Sequence, residues 1–207
     1  MSDTAEKTVV KSGSMTKKSD KVGIDVLICA PNWFDEKIQY KIANAPERTA
    51  SLEFSGTDLN FAARVLYAEA SGSAQLSDKD KRDKEKLAIL NVMHFRLNRR
   101  GYPTNSYIAQ SFQEVGRAKQ QFESVNPGTP KFASSDTPAF QSLSKKECLD
   151  LAEALEAIQT FLKNGPDNVN YLYDNFRGYN PTGRGEHIGR SRFWMSSTGK
   201  NLYEKAP

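Results

Sequence analysis

Apolar residues recur along this chain at the spacing of a buried helix face. Leu59, Ala62, Ala63, Leu66, Tyr67 and Ala70 repeat at three- and four-residue intervals, which predicts an amphipathic helix. Thr57 or Asp58 is placed to cap its start, and Gly72 to stop it. A second stripe of Leu87, Leu90, His94 and Leu97, with Met93 beside it, predicts a helix through KLAILNVMHFRLNRR, ended by Gly101, Tyr102 and Pro103. A third joins Cys148, Leu151, Ala152, Leu155, Ile158 and Leu162. Its start, Ser144-Lys145-Lys146-Glu147, has the form of a capping box, and Asn164-Gly165-Pro166 is a strong stop. VGIDVLIC, residues 22–29, reads as a short strand. A short helix is expected around Ile108 to Val115, and a long loop over residues 116–137. The aromatic stretch from Trp33 to Ile42 shows no readable period. The expected fold class is α+β, mostly helical, in one domain.

The polar stretches divide the chain. Residues 1–21 lack aromatics and are rich in Lys, Ser and Thr, a composition that cannot offset the entropy of ordering and predicts a disordered tail. Residues 22–56 then form an N-terminal extension, and residues 57–207 the main domain. Residues 78–86 are charged at all nine positions, with nearly balanced sign. Such a run is expected as a solvated loop or the exposed first turns of a helix.

Composition narrows the class. With 207 residues, 38% hydrophobic and 26% charged, the chain has the balance of a globular domain. No apolar run reaches the length a membrane span needs, so no membrane insertion is expected, and no secretory signal is visible. The net charge of +4 is mild and suits an anionic partner. Basic residues alternate with acidic ones and form no stripe, which argues against nucleic acid. Two cysteines and two histidines, far apart, argue against a zinc site. No metal or organic cofactor is expected. Cys29 and Cys148 could form one disulfide or be two buried thiols; the second is the favoured reading, because free cysteine is among the most buried residue types.

Three constellations can carry chemistry. Glu69 sits at the edge of the buried face of the first helix, in its last turn. The negative end of the helix dipole disfavours a charged carboxylate there, which suits a general acid. Tyr102, Phe122, Tyr171, Tyr173, Tyr179 and Trp194 are aromatic residues near Gly and Pro, interleaved with Gln120, Gln121, Asn170, Asn175, Arg190 and Arg192. Aromatic faces stack on the C–H faces of sugars, and the amides and guanidiniums bond their hydroxyls. Cys29 with His94 or His187 is a nucleophile–base alternative. Cys29 ends an apolar strand, and His94 lies on a helix face as a packed core histidine. His187, in the segment RGEHIGRSRFW, is better placed to line a site.

These segments together resemble the SleB-like cell wall hydrolases, the group that contains the spore cortex-lytic enzymes. FAARVLYAEASGS is similar to the family's opening helix, with its Y-A-E-A core. KLAILNVMHFRLNRRGYP is similar to its second helix, KQQFESV to its Q-F-(S/T) segment, and HIGRSRFW to its C-terminal element. The resemblance runs from Thr57 to Trp194. Ser71-Gly72-Ser73 stands where the family has Arg-Gly-Glu, Ser191-Arg192 stands near the family's His, and Trp194 replaces Tyr.

The resemblance implies a lysozyme-like fold and cleavage of peptidoglycan glycan strands by a lytic transglycosylase, with Glu69 as the catalytic acid. It makes Tyr67, Gln121, Phe122, Tyr171, Tyr173, His187, Arg190 and Trp194 the expected substrate-binding residues. One well-placed carboxylate suits transglycosylation, whereas hydrolysis normally takes two. Glu123, Asp174 and Glu186 are the candidate partners for a hydrolytic muramidase or glucosaminidase. A Cys/His peptidase or amidase and a non-enzymatic glycan-binding protein are the other readings. Without a visible export signal, a wall enzyme is expected to arrive through a phage holin or a type VI secretion system. In the latter case a periplasmic immunity protein is the expected partner.

Overall fold

The computed structural model describes residues 17–18, 26–27, 29–104, 106–119, 121–126, 129–136, 142–167, 170–178, 183 and 185–196. Among the described residues five α-helices and a set of short antiparallel strands make a mixed α+β fold. Helix α1 (Gly56–Glu69) is central and packs against α5 (Lys145–Asn164), α3 (Phe112–Arg117), α4 (Pro130–Ser134) and α2 (Lys79–Phe95). Its sequence explains this position. Leu59, Phe61, Ala62, Ala63, Val65, Leu66 and Tyr67 are all buried, so the apolar surface nearly encircles the helix, as expected of one enclosed by others.

The cap of α1 differs from the expected one. Ser55, not Thr57 or Asp58, is the N-cap, and its Oγ accepts from the Asp58 N–H at 3.2 Å. Asp58 turns away and caps a different helix. Its carboxylate accepts the N–H groups of Phe112 (3.0 Å) and Gln113 (2.8 Å) at the start of α3. Burial outweighs those two bonds and pushes its carboxyl up to about 6.

Helix α5 has the capping box that its sequence announced. The Glu147 N–H donates to Ser144 Oγ (3.3 Å), and the Ser144 N–H donates to Glu147 Oε2 (2.8 Å). The helix ends at Gly165, whose φ of +81° favours glycine, with Ala43 O so close that a Cβ would lie 2.3 Å from it. The stretch expected as one long loop holds α4, opened by Pro130, and a 3-10 turn at Glu123–Val125.

The strands are short. Lys17–Lys18 (β1) pairs with Val26–Leu27 (β2), and Gln39–Tyr40 (β3) with Phe54–Ser55 (β4). Pro103–Thr104 (β5) pairs with Tyr107–Ile108 (β6). The C-terminal sheet runs β7 (Asn175–Arg177), β9 (Ser191–Trp194), β8 (Glu186–Ile188), with β9 in the centre. Of the strand expected over residues 22–29, Val26–Leu27 takes that form. Lys17–Lys18 lies in the stretch expected to be a disordered tail, and residues 1–16 and 19–21 lie outside the described residues. Tyr179 and Gln120 also lie outside them.

The reading of Cys29 and Cys148 as free thiols is corrected. They form a disulfide with a Cα–Cα separation of 5.6 Å, across 119 residues of sequence. The helical stripe correctly turns Cys148 inward, but sequence alone could not bring Cys29 to the first turn of α5. Three further contacts hold the extension. The Asn60 side chain clasps the Phe34 backbone at both N–H (2.8 Å) and C=O (3.0 Å). The Ala43 N–H donates to Leu162 O at 2.8 Å, and a Cβ on Gly56 would lie 2.1 Å from Asp35 O.

Candidate active site

Glu69 is the last residue of α1 and is half-buried. The Ser124 N–H, in the 3-10 turn after Phe122, donates to its Oε1 at 3.0 Å. Among the described residues Oε2 accepts no hydrogen bond. One carboxyl oxygen is therefore oriented by backbone while the other has no partner among the described residues. Tyr67, two residues earlier, is 2% exposed. Lys131 of α4 lies over its ring, with Nζ 4.9 Å from the centroid. Burial pushes the Tyr67 hydroxyl up and lowers the Lys131 ammonium, the latter against the opposing pull of Asp150, Glu69 and Glu85.

The turn after Glu69 is clamped at every residue. Lys131 Nζ donates to Ala70 O at 3.3 Å. The Ser71 N–H donates to Glu85 Oε2 (3.0 Å), the Gly72 N–H to Gln75 Oε1 (2.8 Å), and the Ser73 N–H to Asp150 Oδ1 (2.8 Å). Gly72 is required here, because a Cβ would lie 2.3 Å from Asp150 Oδ2. A helix end normally frays; this one is held by side chains from α2 and α5.

Those side chains correct the reading of residues 78–86 as a solvated run. Asp78 does cap α2, with its Oδ1 accepting the Lys81 N–H at 3.2 Å. Glu85 and Lys86, however, are 0% and 1% exposed, and Arg82 is also buried. Arg82 makes a two-pronged pair with Glu153 of α5 (2.6 and 3.0 Å), which Lys86 joins at 3.0 Å. These cations hold the Glu153 carboxyl below its ordinary range despite burial. Glu85 also accepts the Ser191 hydroxyl (2.6 Å) and the Arg190 N–H (3.3 Å), tying the turn between β8 and β9 to the end of α1. The missed signal lies in α5: Asp150 and Glu153 are buried, three residues apart, and can answer the cations of α2.

The other expected site residues divide into two groups. Phe122 is buried beside the Glu69 loop and continues into a line of rings. It meets Phe176, Phe176 stacks on Phe193, and Phe193 meets Tyr173, each pair with centroids 5.7 Å apart. The Tyr173 hydroxyl donates to Glu186, and burial together with that carboxylate pushes it well up. Gln121 is exposed next to Phe122, and Tyr171 is half-buried. His187 is exposed on β8, Arg190 lies in the turn before β9, and Trp194 ends β9 opposite Asn175. No described hydrogen bond joins these last three to Glu69.

The Cys/His alternative loses its nucleophile. Cys29 is bonded to Cys148, so it offers no thiolate to His187. His94 is the packed core histidine expected. It is 2% exposed, with Nε2 3.1 Å from Thr49 Oγ1 and its ring against Phe161. Of the candidate second carboxylates, Asp174 is buried and accepts from Ser196 and Asn175, Glu186 accepts from Tyr173, and Glu123 is exposed in the 3-10 turn. Glu85 and Asp150, the carboxylates that flank the clamped turn, are engaged by backbone N–H groups. Among the described residues Glu69 thus keeps one uncommitted oxygen, and the carboxylate of Glu123, exposed in the turn that holds it, accepts no hydrogen bond. No family model, curated protein or solved structure matches the chain.

Proposed function

We propose that the protein is a lytic transglycosylase of lysozyme-like fold that cleaves the bond between N-acetylmuramic acid and N-acetylglucosamine in peptidoglycan. The observation that carries this reading is the state of Glu69. One oxygen is held by the Ser124 N–H, the other accepts no hydrogen bond among the described residues, and the buried carboxylates beside the turn, Glu85 and Asp150, serve as structural acceptors. A single carboxyl can run the whole reaction. Protonated Glu69 gives its proton to the glycosidic oxygen, and the bond to C1 breaks. The resulting carboxylate takes the proton of the muramic C6 hydroxyl as that oxygen closes on C1, which leaves a 1,6-anhydro sugar and restores the acid. A rigid helix end suits a group that must serve two steps in place.

Tyr67 and Phe122 would shape the floor next to the reacting ring, with Gln121, Tyr171, Tyr173, His187, Arg190 and Trp194 as outer contacts to the glycan and its peptides. The disulfide supports a working place in an oxidising compartment outside the cytoplasm. That accords with delivery to the wall by a phage or secretion route, and with a periplasmic immunity protein as partner in the second case.

The test is a digest of purified peptidoglycan followed by mass measurement of the muropeptides. Products one water lighter than those of a hydrolase are expected, and Glu69→Gln should lower the rate at least ~100-fold. Reducing-end products would replace the transglycosylase with a hydrolase. Full activity in the Glu69→Gln protein would remove Glu69 from the chemistry.

A further inference from the structure

A cavity of about 310 Å³ lies on α1 well away from Glu69. Its α1 wall is the stripe of Thr57, Asn60, Phe61 and Arg64. At about 100° per residue, Glu69 lies roughly 130° further round the helix, and it sits on the last turn. The extension supplies the opposite wall with Trp33 and Glu36, and α3 supplies Gln113 and Arg117.

This wall is built rather than draped. The Asn60 clasp fixes Phe34, the close approach of Gly56 fixes Asp35, and Phe34 packs edge-on against Tyr40 at 5.2 Å. Trp33 and Glu36 flank these anchored residues. Arg117 is presented by α3, whose first turn the Asp58 carboxylate holds.

The charges inside are unequal in state. Arg64 is spent: it pairs with Asp136 at 3.2 Å, donates to Ser135 and to Phe132 O, and stacks 4.1 Å over the Phe132 ring. Arg117 lies 5.0 Å from the centroid of Phe61 and has no ion pair among the described residues. Glu36 likewise has neither an ion pair nor a hydrogen bond among them. Among the described residues one unpaired cation and one unpaired anion therefore line a cavity walled by Trp33 and Phe61, with Gln113 also in its lining. A neutral glycan would leave both charges unmatched, and a plain polyanion would be repelled by Glu36.

We infer that this cavity is a binding site for a short zwitterionic peptide, its ammonium to Glu36 and its carboxylate to Arg117. In a wall polymer that chemistry belongs to the stem peptides, so the site would take the peptide of the strand whose glycan Glu69 cleaves. The inference rests on the reading of the protein as a wall enzyme, but it can fail separately.

The experiment uses the full chain carrying Glu69→Gln and calorimetric titration with a free stem tetrapeptide that bears a side-chain ammonium. Saturable one-to-one binding is expected. Arg117→Ala and Glu36→Gln should each weaken it at least tenfold while the thermal melt stays in place, since both side chains are exposed. Acetylating the peptide's amines should reproduce the Glu36→Gln loss on the unaltered site. The inference is overturned by absence of saturable binding, by equal affinity in all three proteins, or by equal competition from a peptide-free chitooligosaccharide. Cleavage of peptide-stripped glycan by the wild-type chain tests Glu69 independently, so failure of one reading is distinguishable from failure of the other.

Discussion

His94 should make the fold sensitive to mild acid. The ring is 2% exposed, meets Phe161, and faces the Arg48 guanidinium. Burial first, and Arg48 second, push its pKa down from 6.5 to about 3. The unfolded chain takes up a proton near 6.5 and the folded chain does not, so the contribution is whole above pH 6.5 and drains away as pH falls toward 3. At 1.36 kcal/mol per decade, the loss is about 2 kcal/mol at pH 5 and about 5 kcal/mol at its limit. Asp58 works with the opposite sign. Its carboxyl, raised to about 6, adds stability at low pH that is lost as pH rises through 6. The two effects overlap, so the measurement must be differential. Urea unfolding at pH 7.5 and pH 5 for wild type and His94→Gln isolates the histidine, because Asp58 is common to both. The wild type should lose about 2 kcal/mol more than the variant between the two conditions. Equal losses, or a His94 ring resonance titrating near pH 6.5, would refute the reasoning.

Three other perturbations follow from the packing. Reducing the Cys29–Cys148 bridge, or Cys148→Ser, releases a loop of 119 residues; loop entropy sets the loss at about 5 kcal/mol, read as a lower Tm with reductant. Gly189→Ala places a Cβ within 2.7 Å of the Glu85 side chain at a φ of +63°; a loss of about 1–3 kcal/mol in chemical denaturation is expected. Glu85→Gln has one acceptor oxygen for three donors; it should cost about 2 kcal/mol and speed exchange of the Ser71 amide. An unchanged midpoint in any of these would contradict the contact named.

What the sequence made legible was periodic or local. The stripes of α1, α2 and α5 follow from three- and four-residue spacing, and the Ser144–Glu147 cap from four adjacent residues. The same stripe places Glu69 in the last turn of α1, where the structure has it. The remainder depends on partners distant in the chain. Nothing near Arg82 and Lys86 indicates that Glu153, 71 and 67 residues on, will draw them inward. Asp58 looks like the cap of its own helix and serves another 54 residues away. The cavity wall comes from the aromatic stretch without a period, whose shape is set by Asn60 and Gly56 rather than by its own pattern.

The bridge between Cys29 and Cys148 also has a topological consequence. It closes a covalent ring that contains α1, α2, α3, α4, the 3-10 turn that holds Glu69, and both walls of the cavity. A protease that cuts one peptide bond anywhere inside that ring opens it without dividing the molecule. The nicked protein would keep its mass, apart from one added water, until a reductant separates the pieces. A first cut would therefore leave Glu69, Ser124 and Lys131 on one connected molecule.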